Sequence, residues 1–189
     1  MPKPTSTQFI TRTAVMLALA LVFQIFGGSI AAVVGLPSNF VVGPLVNLCL
    51  LVATAISGVW SGAFVGLMTP ATASLTGHLP IPVQLVPIIV VGNLLLVAVF
   101  WLFDRGTAGS SSGAKLWTRI VGIVAGAVLK TAWLWAVTAG FAGLGWLPAK
   151  AAPVLVLAMS WPQGVTAAIG GVLALLVLVP LELAVRRTE

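Results

Sequence analysis

The sequence predicts an all-α integral membrane protein with six transmembrane helices and both termini on the cytoplasmic side. Three observations predict it. Charged residues make up 6% of the 189-residue chain and hydrophobic residues 60%, whereas a soluble domain carries about 25% charge. Apolar runs recur along the chain at the length of ~20 residues that crosses a ~30 Å hydrocarbon core. The basic residues gather in the segments that six crossings would place on one side. A membrane barrel is not expected, because it needs ~10-residue stretches of alternating polarity and none occurs.

The whole chain, 1–189, reads as one membrane domain. The first span covers about 13–34 and ends at "GLPSNF". The start "MPKPTSTQFITRTAVMLALALVF" has the charge pattern of a leader peptide. Its apolar run continues past a leader's core and meets no small-x-small cleavage site, so it is expected to be retained. The second and third spans, about 41–57 and 58–74, share one apolar stretch with a poorly marked boundary. "TGHLPIP" is a loop, and the fourth span covers about 83–103. "DRGTAGSSSGAK" is a polar linker. The fifth span covers about 116–141, "GLGWLPAKAAP" is a loop, and the sixth covers about 154–185. With the N-terminus inside, Lys3, Arg12, Arg105, Lys115, Arg119, Arg186 and Arg187 are all cytoplasmic and Lys150 alone lies outside. That is a positive-inside arrangement consistent with an even number of crossings.

Small residues mark the packing faces, since they let helix backbones approach. Gly58, Gly62 and Gly66 recur every four residues, as do Gly122 and Gly126, with Lys130 one step further. Gly164, Ala168 and Gly171 mark the last span, and Ala14 and Ala18 the first.

Lys130 lies inside an apolar segment, "VGIVAGAVLKTAWLWAV". Counted from Ile120, it is roughly 15 Å deep at 1.5 Å per residue. A lysine there costs roughly 2.5–3.5 kcal/mol, and no span centre carries an acid, since Asp104 and Glu182 fall at span ends. Three arrangements answer that cost: a neutral amine, a watered cavity of amides and carbonyls, or an anionic ligand that supplies the missing charge. The last explains why the lysine is there at all. Trp133 shares the Lys130 face, so an ammonium and an indole together suit a small ring-bearing acid. Asn47, Asn93 and Gln163 place amides in three other spans, and each must find a partner. They either cross-link helices or share a polar pocket with Lys130. Pro162, in "SWPQG", breaks helix bonding near Ser160 and Trp161, and broken membrane helices line many binding cavities.

The net charge of +6 is accounted for by the span flanks and is not read as a nucleic-acid surface. His78, the single histidine, sits in an outer loop with no metal-ligating neighbours. Ser61 lies in the opposite half of its span, so no Ser–His hydrolase is expected. Cys49 is a core filler. No phosphate-binding loop, metal site or cofactor motif is present, and an enzyme is not expected.

Six spans in under 200 residues, with Ala14-x-x-x-Ala18 just after Arg12, resemble the substrate-binding S component of energy-coupling-factor (ECF) transporters of the ABC type. "GPLVNLCLLVATAISGVWSGAFVGLMTPATASLTG", "VGNLLLVAVF" and "SWPQGVTAAIGGVLAL" carry the resemblance, which covers nearly the whole chain. It implies high-affinity capture of a vitamin or related micronutrient from outside the cell membrane. It further implies docking on a transmembrane coupling subunit that works with two ABC ATPases, and a toppling motion that releases cargo inside. Ala14 and Ala18 match the docking motif. The binding residues come from the chain itself: Lys130, Trp133, Asn47, Asn93 and Gln163, with Trp161 beside the break and His78 in the outer loop. Loops 35–40, 76–82 and 143–153 would form a lid. The alternatives are a stand-alone secondary carrier, which lacks an intramembrane carboxylate here, and a ligand-free scaffold subunit.

Overall fold

The computed structural model describes residues 4–77, 81–106 and 111–186, and these form helices and connections with no strand among them. The helices are α1 (Ser6–Val33), α2 (Asn39–Ser57), α3 (Val59–Leu75), α4 (Val86–Arg105), α5 (Ser112–Gly143), α6 (Ala152–Ala158) and α7 (Trp161–Arg186), with one 3-10 turn at Val83–Leu85 before α4. Five stretches are long and apolar enough to cross a membrane: Ser6–Val33, Asn39–Ser57, Val83–Arg105, Ser112–Gly143 and Ala152–Leu181. The expected third crossing corresponds to α3, a 17-residue helix of about 25 Å.

The helix boundaries have local causes. α1 begins earlier than hydropathy suggests because Thr5 and Gln8 form a capping box: Gln8 N–H donates to Thr5 Oγ1 at 3.3 Å, and Thr5 N–H to Gln8 Oε1 at 3.0 Å. This satisfies two otherwise orphaned groups. The α2–α3 boundary, unmarked in hydropathy, is a single residue, Gly58, at φ 93°. That backbone is open to glycine at no steric cost, so one residue reverses the chain. The last span is not one helix. It is interrupted at Met159–Ser160, just ahead of Pro162, whose missing N–H and fixed φ suit the first turn of a new helix better than the middle of an old one.

Side-chain contacts give the helix directions. Arg12 of α1 reaches Ile56 of α2, while Thr13 and Gln24 of α1 reach Ser61 and Thr69 of α3. Gly122 and Gly126 of α5 face Phe103 and Leu96 of α4, and Gly164 and Gly171 of α7 face Thr131 and Ile123 of α5. Neighbours in sequence therefore run antiparallel, and α1, α3 and α5 start at one end. Arg12, Arg105, Lys115 and Arg119 lie at that end, here called the basic end. The opposite, distal end carries the 34–38 and 144–151 connections.

The exposed tryptophans mark two levels. Trp60 and Trp117 lie at the basic end, and Trp135, Trp146 and Trp161 toward the distal end, all more than half exposed. Trp117 and Trp135 are 18 residues apart on α5, about 27 Å. That matches the aromatic girdles either side of a ~30 Å hydrocarbon layer.

The core is layered along this axis. Near the basic end and centre, Leu51, Leu96, Phe100, Ile123 and Leu178 join α2, α4, α5 and α7. Ala20, Cys49, Leu50, Ala53 and Val65 join α1, α2 and α3. At the distal end, Leu85, Ile88, Leu134, Leu147, Leu155 and Met159 pack the 144–151 connection and α6 onto α4 and α5. Close approach of backbones is clearest at Gly170, where a Cβ would come within 2.6 Å of both Asn47 Cβ and Pro44 O.

Candidate functional site

Lys130 extends from the middle of α5 along the face that carries Gly122 and Gly126. Its stem passes Gly92 of α4, where an added Cβ would lie 3.4 Å from Lys130 Cγ. Nζ donates to Asn47 Oδ1 and to Asn93 Oδ1, each at 2.8 Å. Asn93 Nδ2 donates onward to Gly66 O at 3.1 Å. All three side chains are nearly sealed, Lys130 at 3%, Asn47 at 2% and Asn93 at 3% exposure. One connected knot thus links α5, α2, α4 and α3.

The chemistry of the knot is one-sided. An ammonium offers three donors, and two are spent on amide oxygens. Amide dipoles orient the amine and add no opposite charge. Among the described residues no acidic group is paired with it; an ion pair joins Arg119 Nε to Asp104 Oδ1 at 2.6 Å, at the basic end. The site is a buried lysine amine held in place by neutral acceptors.

The structure separates the other candidate residues. Trp133 lies one turn from Lys130, and its indole N–H donates to Ile88 O at 3.0 Å, with its ring in the distal core. Gln163 turns away from the knot; its amide reaches back across the α6–α7 break to Ala158 O at 3.3 Å. It caps a carbonyl that the break leaves free. Ser160 Oγ likewise donates to Leu157 O at 2.6 Å. Trp161 is on the outer surface, its ring 6.1 Å from that of Phe40. His78 lies outside the described residues, as do Lys3 and Arg187. Of the expected pocket group, Lys130, Asn47 and Asn93 are brought together.

Trp161 borders a separate feature, an open apolar groove of about 710 Å³ between α5 and α7, floored by Ala127, Thr131, Gly164 and Ala168 and flanked by Trp135. Ala168, expected as a packing position, is exposed there, whereas Gly164 and Gly171 meet α5. Thr131 Oγ1 donates to Ala127 O, so the groove floor presents little hydrogen-bonding demand.

Ala14 and Ala18 are both exposed, on a face of α1 that also presents Val15, Val22 and Ile25. The opposite face, with Thr13 and Ala20, packs on α2 and α3.

Sequence reasoning missed Gly66 as an acceptor. The signal was available: Gly66 sits in the Gly58–Gly62–Gly66 row, and a glycine in a packing row exposes its backbone to a neighbour. A Cβ there would press to 3.2 Å on Asn93 Cβ. No family model, curated protein or solved structure matches the chain.

Proposed function

We propose that the chain is the substrate-binding S component of an ECF-type transporter. It takes a small anionic micronutrient from outside the cell membrane and delivers it inward with a coupling subunit and two ATPases. In this reading there are six crossings, and the basic end, with both termini, is cytoplasmic, as the positive-inside rule requires.

One observation carries the reading: a buried lysine amine fixed by two amide oxygens, with no carboxylate paired to it among the described residues. An anion entering from the distal end would have to open this sealed region, and would then meet a counter-charge already oriented by the two amides. The exposed small-residue face of α1 supports the second half of the proposal. A flat strip at Ala14 and Ala18 lets a partner helix approach closely.

Native mass spectrometry of the gently purified protein tests it. A stoichiometric small acid, absent from the Lys130→Met variant, is expected. Uptake of that acid by vesicles should also require ATP and the partner subunits. A wild-type protein that carries nothing, and binds no member of a vitamin panel, would defeat the proposal.

A second reading has its own observation. The knot ties four helices together, which is what a ligand-free scaffold subunit would need from Lys130. In that case Lys130→Met lowers thermal stability and changes no binding.

A further inference from the structure

The open groove of about 710 Å³ runs along the outer seam of α5 and α7. Its floor is shallow in side chains because the two helices approach through a glycine: a Cβ added at Gly164 would come within 2.9 Å of Thr131 Oγ1. Its walls are larger and exposed. Val128 and Trp135 rise from α5, and Val165 and Trp161 from α7. The ring of Phe40, 6.1 Å from that of Trp161, backs the α7 wall.

The lining asks its occupant for nothing polar. No charged side chain among the described residues lines it. Its two hydroxyls are spent on nearby backbone: Thr131 Oγ1 donates to Ala127 O at 2.7 Å, and Ser160 Oγ to Leu157 O at 2.6 Å. The complementary occupant is therefore uncharged hydrocarbon. The groove's extent sets the length of that hydrocarbon. Along α5 it runs from Trp135 to Val124, eleven residues or about 16 Å. Trp135 stands at the distal aromatic level, and Val124 lies near the midpoint between Trp117 and Trp135. The groove thus covers one leaflet, half of a ~30 Å hydrocarbon core.

The walls distinguish a chain from a helix. A helix is ~10–12 Å across with its side chains. Laid along the seam, it would ride on Val128, Trp135, Val165 and Trp161 and leave the floor unfilled. A single hydrocarbon chain passes between these side chains, reaches the floor and gains dispersion contacts on three sides. We infer that the α5–α7 groove holds one acyl chain of a diacyl lipid from the distal leaflet, with the lipid's glycerol at the level of Trp135 and Trp161. At that level tryptophan keeps its ring in hydrocarbon and its N–H among headgroups. The uncharged lining leaves the headgroup unselected. The inference requires that α5 and α7 span the membrane and is independent of the transport proposal.

The test counts the lipid that the full chain keeps in detergent. The protein is loaded in turn with dioleoylphosphatidylcholine, dioleoylphosphatidylglycerol and dioleoylglycerol, washed extensively, and its extract measured by mass spectrometry. One lipid per chain is expected from each, since the oleoyl chain is common to all three. Ala168→Phe puts a ring on an exposed floor position and should lower retention about tenfold or more by displacing the chain. Ile169→Phe, at the next exposed position of α7 but outside the groove, should leave retention unchanged. Ala132→Phe, exposed on the α5 side of the groove, makes the same test if Ala168→Phe does not fold. Undiminished retention in the folded groove variants, equal losses in Ala168→Phe and Ile169→Phe, or retention of phosphatidylglycerol alone would overturn the inference. So would a wild-type dimer that keeps no lipid and that Ala168→Phe separates, which would assign the groove to a second copy of the chain.

Discussion

Lys130 and Asn93 are joined by a 2.8 Å hydrogen bond, and Asn93 passes its own amide proton to Gly66 O. The relay makes Asn93 an acceptor toward the lysine and a donor toward the backbone, so one side chain serves two helices. Asn93→Leu removes both functions and leaves Lys130 Nζ on Asn47 alone. We expect it to cost about 1–3 kcal/mol, read as a lower melting temperature by circular dichroism in detergent. Asn93→Asp should instead pair with Lys130 and hold the melting temperature while abolishing anion binding. Unchanged stability in Asn93→Leu would show that the knot contributes nothing to the fold.

Trp133 separates ring from handle. Its indole N–H is spent on Ile88 O, and its ring packs in the distal core. Trp133→Phe keeps most of the ring and loses the hydrogen bond, so a loss of about 1 kcal/mol is expected. Trp133→Ala removes the ring too and should cost about 3–5 kcal/mol. Equal effects of the two variants would show that the hydrogen bond, not the packing, matters.

The glycines divide into two mechanisms. Gly58→Ala meets a backbone at φ 93° that L-residues rarely adopt, and should cost about 1–3 kcal/mol through strain. Gly170→Val would drive a branched side chain into Asn47 and Pro44. Overpacking of that kind costs about 1–3 kcal/mol and should displace Asn47 from Lys130. Thermal denaturation of both, with Gly28→Ala as a control where a Cβ meets nothing within 4 Å, separates these from a general intolerance of alanine.

The α1 face gives a prediction about assembly. Ala14→Trp and Ala18→Trp place bulk on exposed positions, so the isolated protein should keep its melting temperature within about 0.5 kcal/mol equivalent. Under the transport proposal, both should abolish co-purification with the coupling subunit. Normal assembly of both variants would move the docking surface elsewhere.

Cys49 reports on the core directly. It is sealed among Ala20, Leu50, Ala53 and Val65. The thiol should resist N-ethylmaleimide in the folded protein and react once it is denatured. Rapid labelling of the native protein would mean that α1 does not stay on α2 and α3.

The sequence by itself determined the helical membrane character, the approximate place of each helix, the clustering of basic residues and the anomaly at Lys130. All of these follow from local hydropathy, charge and helical spacing. It also pointed to the Pro162 break, because proline acts on its own turn. Tertiary structure alone decided which amides meet the lysine. Asn47, Asn93 and Gln163 look alike in sequence, each an amide in an apolar helix. A membrane helix satisfies a buried amide with whatever acceptor or donor its rotation brings near, and that rotation is set by packing against other helices. Asn47 and Asn93 were turned toward Lys130, while Gln163 was taken by the carbonyl freed at its own helix break, and Trp133 by Ile88. The Gly58 reversal and the Gly66 acceptor belong to the same class. Each depends on a distance between residues that hydropathy and periodicity do not encode.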